Sequence, residues 1–289
     1  MMIILTKLMT DSSRCSRILS SVLLTVLLVS FPLQAMARQN VWSLPQPAET
    51  VKAGSLALGY MEARDTYLSA STYNGFGFGF ENDSWTGYEP YKMLPFGRMH
   101  TDMYLSFMRN PVDGGGTLGF NGRDYAGYMW QAVKSSHCDL LVGPAAMLEL
   151  GFYYNQQNSN NPVNVQGYLG GGICVDNTYR FNLLRQDLAL LATLYAPLAG
   201  IGFAPDYDQP YYYMLKYGAG KTLHFVTPFN NIALTQQMAV VIPIKENRLK
   251  TGATFDFMRN RLGGHSRYTM NAMFTIGLAF RYQSKKWER

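Results

Sequence analysis

The feature that most constrains this chain is a strict alternation of apolar and polar side chains near its C-terminus. One face of the segment carries Tyr268, Met270, Ala272, Phe274, Ile276, Leu278, Phe280 and Tyr282. The positions between them are mostly polar or small, with Arg267 and Arg281 at the two ends. A period of two predicts a β-strand with one apolar face. Strands of soluble sandwiches average five or six residues, whereas this alternation continues for about 16 and is flanked by aromatic rings, as in membrane barrels.

Other segments repeat the pattern. It is clear in 75–83, 98–110, 139–155, 164–181 and 248–257, less regular in 119–135, 186–203 and 231–243, and weakest in 52–62. The sequence therefore predicts an all-β fold, a closed antiparallel transmembrane β-barrel of about ten strands. Eight and twelve strands are the alternatives, because placing both chain ends in the periplasm requires an even number.

The links between these segments fall into two sets. Those at 134–136, 182–185 and 245–247 are short and suit the periplasmic end, whereas those at 110–117, 156–162, 204–231 and 261–265 are longer or richer in Gly, Asn and Pro and suit the cell exterior. Glycines in 75–79 and 170–172 would relieve crowding inside a barrel and permit sharp coiling. No helix pattern follows the first run, so it is not a nucleotide-binding fingerprint, and we expect no cofactor.

The N-terminus has the pattern of a secretory signal peptide. Lys7, Arg14 and Arg17 form a basic region, residues 18–31 are apolar, and Ala35-Met36-Ala37 is an A-x-A cleavage site. A retained anchor helix is the alternative, but the apolar run is short for a spanning helix. We expect a cleaved signal at 1–37, a linker at 38–51, the barrel at 52–283 and a tail at 284–289, with export to the outer membrane of a Gram-negative bacterium.

Composition and charge exclude two further classes of protein. Only 15% of the residues are charged and 14% are aromatic, which excludes a disordered chain. The net charge is +6, and the predicted signal carries three cations against Asp11, so 6 − 2 leaves +4. A mildly basic exported chain without a basic block before Lys285-Lys286 predicts no nucleic-acid partner.

Two cysteines, Cys138 and Cys174, remain after the predicted cleavage. An oxidising periplasm would permit a disulfide between them. The strand patterns place them on opposite faces of neighbouring strands and out of register, so we expect two free thiols.

Three groups of residues resemble the signatures of a known family. They are Asp65-Thr66-Tyr67-Leu68-Ser69 with Tyr73-Asn74-Gly75, Asn158-Ser159-Asn160-Asn161-Pro162, and Phe203-Ala204-Pro205 with Tyr211-Tyr212-Tyr213. The family comprises uncharacterised Gram-negative cell-envelope proteins, domain of unknown function family 3316, and the resemblance covers residues 65–282. This chain has Tyr213 where the family has an acidic residue. The resemblance implies an outer-membrane barrel and supplies no catalytic residue.

Outer-membrane barrels that are enzymes usually hydrolyse lipids or proteins, which requires a His, a nucleophile or activated water, and an orienting acid. Phospholipase-like barrels have a Ser two residues after the His. Here Ser266 follows His265 directly, so the two side chains of a strand would point to opposite faces. This pair is therefore a weak candidate.

Glu81, Asp83 and His100 are better candidates for a catalytic site. The run Glu81-Asn82-Asp83 is similar to a Glu-Asn-Asp run in outer-membrane lipid A deacylases, although that family has its His far downstream and His100 follows closely. Antiparallel pairing of strands 72–84 and 98–110 would bring Glu81 near His100 or Asp102. The alternative, which we favour, is a structural network of charges inside a small barrel.

The alternation assigns a balanced set of charged and polar residues to the interior. The set is Glu81, Asp83, His100, Asp102, Glu149, Asp176, Arg180, Arg248, Lys250, Asp256, Arg267, Asn271 and Arg281. Opposite charges should pair across a narrow lumen, because a buried charge without a partner costs several kcal/mol. Barrels of about eight strands are filled by their own side chains and open channels need about sixteen. The predicted strand number therefore argues against a general porin and leaves a narrow solute channel as an alternative.

The long link at 204–231 is the candidate binding surface. Tyr207, Tyr211, Tyr212 and Tyr213 would form either a contact surface for a partner or part of the aromatic girdle at the lipid interface, and the link is long enough for a hairpin of its own. Asp206 and Asp208 are candidate Ca²⁺ ligands, with a solvated loop as the favoured interpretation. No Cys, His and Asp cluster has the spacing of a metal site.

The sequence thus predicts a monomeric barrel with a plugged polar lumen, in contact with outer-membrane lipid and lipopolysaccharide. Its predicted function is that of a non-enzymatic structural or interaction protein, an accessory subunit of an envelope complex whose protein partner binds the 204–231 link. The alternatives are a lipid-modifying hydrolase that uses His100 with Glu81 or Asp83, and a narrow solute channel.

Overall fold

The computed structural model describes residues 42–88, 96–158, 162–205, 216, 222–244 and 247–283. They form eleven strands in chain order: β1 (Glu49–Asp65), β2 (Tyr73–Gly87), β3 (Phe96–Arg109), β4 (Gly116–Lys134), β5 (Cys138–Asn155), β6 (Val163–Leu183), β7 (Gln186–Phe203), β8 (Leu223–Val226), β9 (Asn231–Ile244), β10 (Asn247–Leu262) and β11 (His265–Gln283). Within this part of the chain, no helix is long and apolar enough to cross a membrane.

Ten of these strands form a closed antiparallel barrel. Neighbours in sequence are hydrogen-bonded from β1 to β7 and from β9 to β11, and the ring is completed by the β7–β9 and β1–β11 pairs. Glu49 lies opposite Gln283, so the first residue of β1 and the last residue of β11 lie at the same end of the barrel. We call this the terminal end and the opposite one the loop end. The predicted ten-strand closed barrel is confirmed.

Two details of the strands differ from the prediction. β1 begins at Glu49, inside the predicted linker 38–51, because Thr50 and Val51 continue the ladder to Tyr282 and Arg281. The 204–231 link contains a short strand that was not predicted, while the hairpin considered for its Tyr-rich part falls on residues outside the described ones. The short strand β8 continues the barrel wall by pairing with Gly200–Phe203 of β7, while β9 pairs with β7 over Ala189–Tyr195.

The two faces of each strand have opposite environments. On β11, Phe274 and Ile276 point outward and are 57% and 47% exposed, whereas Met273 and Thr275 point inward and are 1% and 2% exposed. The inner face thus supplies the core of the molecule, and the outer face is an apolar surface. Most of the polar side chains on the inner face must find partners across the lumen.

Turns and glycines permit the sharp bending of this sheet. Leu184 and Arg185 have φ values of 52° and 66°, and Gly263 and Gly264 have 58° and 74°. Both pairs therefore form tight hairpin turns of the kind that matches strand twist. A Cβ atom on Gly277 would lie 2.0 Å from the carbonyl oxygen of Gly54, so this close approach of β11 and β1 requires glycine.

Candidate functional site

The barrel interior contains a group of polar side chains that contact one another across the lumen. We call it the central network, and it consists of Glu81, Asp83, Arg98, His100, Asp102, Arg123, Asp176, Gln237, Lys250 and Asp256. These residues come from β2, β3, β4, β6, β9 and β10, and strand alternation turns all of them inward. None is more than 9% exposed. Burying a charge costs free energy unless the charge is paired. So many charged side chains in one place therefore make the central network the best candidate for a site.

Three side-chain nitrogen atoms contact the carboxylate of Asp83 on β2. Arg98 Nη2 donates to Asp83 Oδ1 at 2.6 Å, and His100 Nδ1 lies 2.9 Å from the same oxygen. Lys250 Nζ, from β10, contacts Asp83 Oδ2. One carboxylate thus joins strands that are not neighbours in the barrel.

Arg98 continues these contacts towards β6. Its Nε donates to Asp176 Oδ2 at 3.0 Å, and Trp85 Nε1 donates to the same oxygen at 2.6 Å. The guanidinium carbon lies 4.3 Å from the centroid of the Trp85 ring, a cation–π distance. Asp176 and Asp83 therefore bind one guanidinium from two sides of the lumen.

Arg123 forms a second bridge. Its Nη2 lies 2.6 Å from Asp102 Oδ2 on the neighbouring strand and 2.6 Å from Asp256 Oδ2 on β10. Its Nε also donates to Asp102, and its Nη1 donates to Thr235 Oγ1 at 3.0 Å. Such multidentate, charge-assisted contacts are the strongest hydrogen bonds of side chains.

His100 is enclosed by this network. It is 0% exposed, with Nε2 3.2 Å from Asp102 Oδ2 and Nδ1 2.9 Å from Asp83 Oδ1. Gln237 Nε2 lies 3.1 Å from Nδ1, and the ring of Tyr125 covers the imidazole at 4.9 Å between centroids. The arrangement fixes the imidazole but leaves no surface of it for a substrate.

The predicted pairing of the candidate catalytic residues is correct. In the β2–β3 ladder, Glu81 is opposite Asp102 and Asp83 is opposite His100. Glu81 itself binds other groups: Tyr104 Oη donates to Oε1 at 2.7 Å, and Gln237 Nε2 donates to Oε2 at 3.3 Å. Glu81 and His100 thus share Gln237 as a common neighbour.

The predicted interior set also points inward. Ten of its members are buried, and Arg180, Arg248 and Arg281 near the terminal end are partly exposed. The prediction omitted Arg98 and Arg123, the two cations that hold the network together. The signal for Arg98 was its shared face with His100. Arg123 lies in the segment 119–135, where Asp124 interrupts the apolar outward face and Tyr125 and Met129 make the inward face partly apolar, so the alternation is hard to see.

A cavity lies towards the loop end. It is lined by residues of seven long strands and by β8, and the open space between them, including solvent at the mouth, is about 630 Å³. Arg267 Nη2 donates to Glu149 at 3.1 Å, and Asn164 Nδ2 donates to Asp65 at 2.6 Å. His265 is buried in the same wall, and Ser266 lies on the opposite face as expected. Burial and the adjacent Asp65 carboxylate raise the pKa of Tyr67, which stacks edge-on against His265.

The terminal end is closed by the chain segment before β1. Trp42 packs edge-on against Trp85, with 5.2 Å between ring centroids. The carbonyl oxygen of Trp42 accepts a hydrogen bond from Arg180, and Ser43 accepts two from Arg281. This segment therefore contacts β2, β6 and β11 together.

Several predicted features receive no further support. Tyr207, Tyr211, Tyr212, Tyr213, Asp206 and Asp208 lie outside the described residues, as does the predicted signal peptide. In the described part of the chain, no group of His, Cys, Asp and Glu has a metal-binding arrangement. Cys138 and Cys174 are free thiols on opposite faces of β5 and β6, as predicted.

A comparison with known protein families identifies the family to which the chain is related. The family described as "Protein of unknown function (DUF3316)" matches residues 21–286. The chain belongs to this family. The DUF3316 assignment agrees with the resemblance seen in the sequence signatures, and a comparison with curated proteins found no match.

Solved structures similar to this DUF3316 barrel share little sequence with it. The outer membrane protease OmpT from Escherichia coli is 9% identical, with a TM-score of 0.46, and the match covers 85% of this chain and all of that one. Ail, the attachment invasion locus protein of Yersinia pestis, is 10% identical, with a TM-score of 0.22, over 81% of this chain and all of that one. A FadL homologue from Pseudomonas aeruginosa is 8% identical, with a TM-score of 0.23, over 86% and 96%. Structural similarity at such low sequence identity gives no information on the function of this chain.

Proposed function

We propose that this DUF3316 protein is an outer-membrane β-barrel with a lumen closed to solutes, and that it acts as a non-enzymatic structural or interaction protein of the cell envelope. The central network is the observation that carries the proposal. Its contacts join β2, β3 and β4 to β6, β9 and β10, so that side chains occupy the middle of the bore.

The outer surface supports insertion into a membrane. Leu58, Phe78, Phe107, Leu150 and Phe274 point outward and are 42–57% exposed. Monomeric soluble proteins rarely expose apolar patches larger than a few hundred Å². Burial of this belt in lipid hydrocarbon removes the cost of its exposure to water.

Aromatic side chains flank the belt at both ends. Tyr128, Trp130 and Tyr282 point outward near the terminal end, and Tyr60 and Tyr154 do so near the loop end. Rings with a polar tip concentrate at the two membrane–water interfaces of outer-membrane barrels. Together with the predicted signal peptide, this pattern favours the outer membrane as the location and its lipid and lipopolysaccharide as the surroundings.

The interior argues against a narrow solute channel. A water-filled path through the bore would have to pass Arg98 and Arg123, which are hydrogen-bonded to carboxylates on both sides. Opening such a path would break several charge-assisted contacts at once and leave buried charges without partners. Trp42 and its neighbours also cover the terminal end.

The same interior argues against a hydrolase that uses His100. A general base must reach the proton that it removes, directly or through one water. His100 is in contact with Asp83, Asp102 and Gln237, and none of its surface is exposed. Glu81 and Asp83 are equally enclosed.

Conductance measurements test the closed lumen. The wild-type protein, folded in detergent and added to a planar bilayer, should produce no steady single-channel current, while its compact, heat-sensitive band on a denaturing gel confirms that it is folded. A steady current from the folded wild type would contradict the proposal and favour the channel.

The interaction role is tested by purification from native membranes. A stoichiometric companion protein that is lost when Tyr211, Tyr212 and Tyr213 are replaced by Ala supports an accessory function through the 204–231 link. Recovery of this chain with lipid alone would contradict a partner-binding role for that link.

A further inference from the structure

A row of polar side chains interrupts the apolar belt on the outside of the barrel. Asn82 of β2 is directly opposite Thr101 of β3, and Thr101 is directly opposite Asp124 of β4. All three point outward, since the positions on either side of them along each strand face the lumen. We call these three residues the polar row.

Asp124, at one end of the polar row, lies within the belt, whereas Asn82 at the other end is only two positions from the outward pair Ser84 and Lys52. Asp124 is eight residues from the start and ten from the end of β4, which runs from Gly116 to Lys134. Tyr128, in the flanking girdle, is four residues away, or about 13 Å of extended chain. The outward neighbours Phe80, Met103 and Leu148 are large, apolar and exposed. A carboxylate at such a position is costly in lipid and is rarely present without a function.

The hydrogen-bonding capacity of the polar row is only partly used within the described chain. Thr101 Oγ1 donates to Asp124 Oδ1 at 2.8 Å. Among the described contacts, Asp124 Oδ2 accepts no hydrogen bond and the side-chain amide of Asn82 makes none. One end of the row thus offers an acceptor, and the other end offers donors.

Along β4, the outward residues on either side of Asp124 are small. Gly122 and Ala126 are the outward neighbours of Asp124 along β4, and Ala146 of β5 is opposite Ala126. A Cβ atom on Gly122 would meet nothing nearer than 3.4 Å. Small residues at interfaces within a membrane let two backbones approach closely.

We propose that the polar row is the centre of a two-fold interface between two copies of this chain within the membrane. A two-fold axis beside Thr101, along the membrane normal, turns the row end for end. Asn82 then faces Asp124 of the partner subunit, and the reverse contact forms by symmetry. The donors of each copy meet the unused acceptor of the other.

A second copy suits the polar row better than a lipid does. A lipid headgroup would have to leave the interface and enter the hydrocarbon to reach Asp124, whereas a second barrel carries its polar row at the same depth. The sequence alone predicted a monomer, and the inference replaces that expectation. It rests on the proposed membrane insertion but not on the closed lumen.

Substitution of Asp124 tests the interface directly. Asp124→Leu removes the acceptor and places an ordinary lipid-facing side chain in the belt, so the barrel still folds. Sedimentation equilibrium in density-matched micelles should show a dimer for the wild type and a dissociation constant about tenfold or more higher for Asp124→Leu. Gln236→Leu, an outward polar residue on the far wall in β9, is the matched control and should leave the dimer unchanged.

Cysteine cross-linking tests the position of the axis. In a Cys138→Ser, Cys174→Ser background, Thr101→Cys lies beside the axis and should form a disulfide-linked dimer on mild oxidation in membranes. Ala253→Cys, which is exposed on the outward face of β10, should stay monomeric under the same conditions.

The outcomes separate the two proposals. A folded, membrane-inserted wild type that is monomeric, or equal cross-linking of Thr101→Cys and Ala253→Cys, would overturn the dimer while leaving the barrel intact. A chain that does not insert into vesicles would overturn the proposed membrane location itself. A dimer lost on Asp124→Leu and retained on Gln236→Leu supports the inference.

Discussion

At the scale of single residues, the interior depends on arginine more than on any other side chain. Arg98 and Arg123 each bind two carboxylates from different strands. A guanidinium has five donors in a planar arrangement, and Lys has a single compact charge. The four acids concerned would otherwise repel one another across a narrow space. These two side chains therefore act as cross-links between walls.

Replacement of Arg123 by Ala should destabilise the barrel strongly. The change leaves Asp102 and Asp256 buried without their main partner, which costs about 3–5 kcal/mol. Urea unfolding in lipid vesicles measures the loss. Arg109→Ala, at an exposed position at the end of β3, is the control and should change stability by no more than about 0.5 kcal/mol.

Removal of the acids together with Arg123 completes that test. The triple variant Arg123→Met, Asp102→Asn, Asp256→Asn no longer contains the unpaired charges and should recover most of the lost stability. If Arg123→Ala unfolds at the same urea concentration as Arg109→Ala, the bridging role is wrong.

Replacement of His100 should change stability and not lipid chemistry. His100→Ala removes a partner of both Asp83 and Asp102, so we expect a loss of about 1–3 kcal/mol. Mass spectrometry of lipid A and phospholipids from cells that carry wild type or His100→Ala should give the same species. A lipid product that depends on His100 would favour the hydrolase instead.

The sequence predicted part of this site because register follows from alternation. Once 72–84 and 98–110 are paired as antiparallel strands, Glu81 must lie near Asp102, and this placement is correct. The contact between Arg123 and Asp256 joins β4 to β10. Such a contact depends on how the barrel closes, and the alternation of side chains within one strand does not determine this closure. The single polar outward residue Asp124 further obscures the pattern of β4.

At the scale of elements, the segment before β1 is more than a linker. Trp42 contributes to an apolar cluster with Val51, Trp85 and Val241 at the terminal end. Its backbone and that of Ser43 receive hydrogen bonds from Arg180 and Arg281. An aperiodic sequence gives no signal for this role, which explains why residues 38–51 were predicted only as a linker.

Truncation of Trp42 should open the terminal end. Trp42→Ala removes a large buried ring and is expected to cost about 3 kcal/mol in unfolding free energy. Acrylamide should then quench the fluorescence of Trp85 more efficiently, since the ring above it is gone. Gln46→Ala, at an exposed position in the same segment, is the control. Equal quenching in both variants would show that the segment does not cover the lumen.

Strand character was predicted even where the alternation is less regular. Residues 186–203 were predicted as a strand and match β7 at both ends. The split of the wall between β8 and β9 was not predicted, because it arises from the pairing of β7 with two partners in turn. The alternation within one segment indicates that it is a strand, but the register between two strands depends on both segments together.

At the scale of the whole molecule, the fold depends on complete closure of the barrel. The first and last strands pair over the full length of β1, from Glu49 opposite Gln283 to Asp65 opposite Arg267. A barrel without this seam would expose two strand edges in lipid, where no water can satisfy their backbone groups. A local defect at the seam should therefore affect the entire fold.

Gly277 and Gly54 allow this to be tested at neighbouring positions. A Cβ on Gly277 would lie 2.0 Å from the oxygen of Gly54 and 2.5 Å from the Cα of Ser55, both backbone atoms, so neither can move aside cheaply. A Cβ on Gly54 would meet nothing within 4 Å. Gly277→Ala should lower stability by about 1–3 kcal/mol through overpacking and reduce the folded fraction in vesicles. Gly54→Ala should fold as the wild type does. The measurement is the heat-sensitive compact band after refolding, and equal folded fractions for the two variants would contradict a seam on which the whole barrel depends.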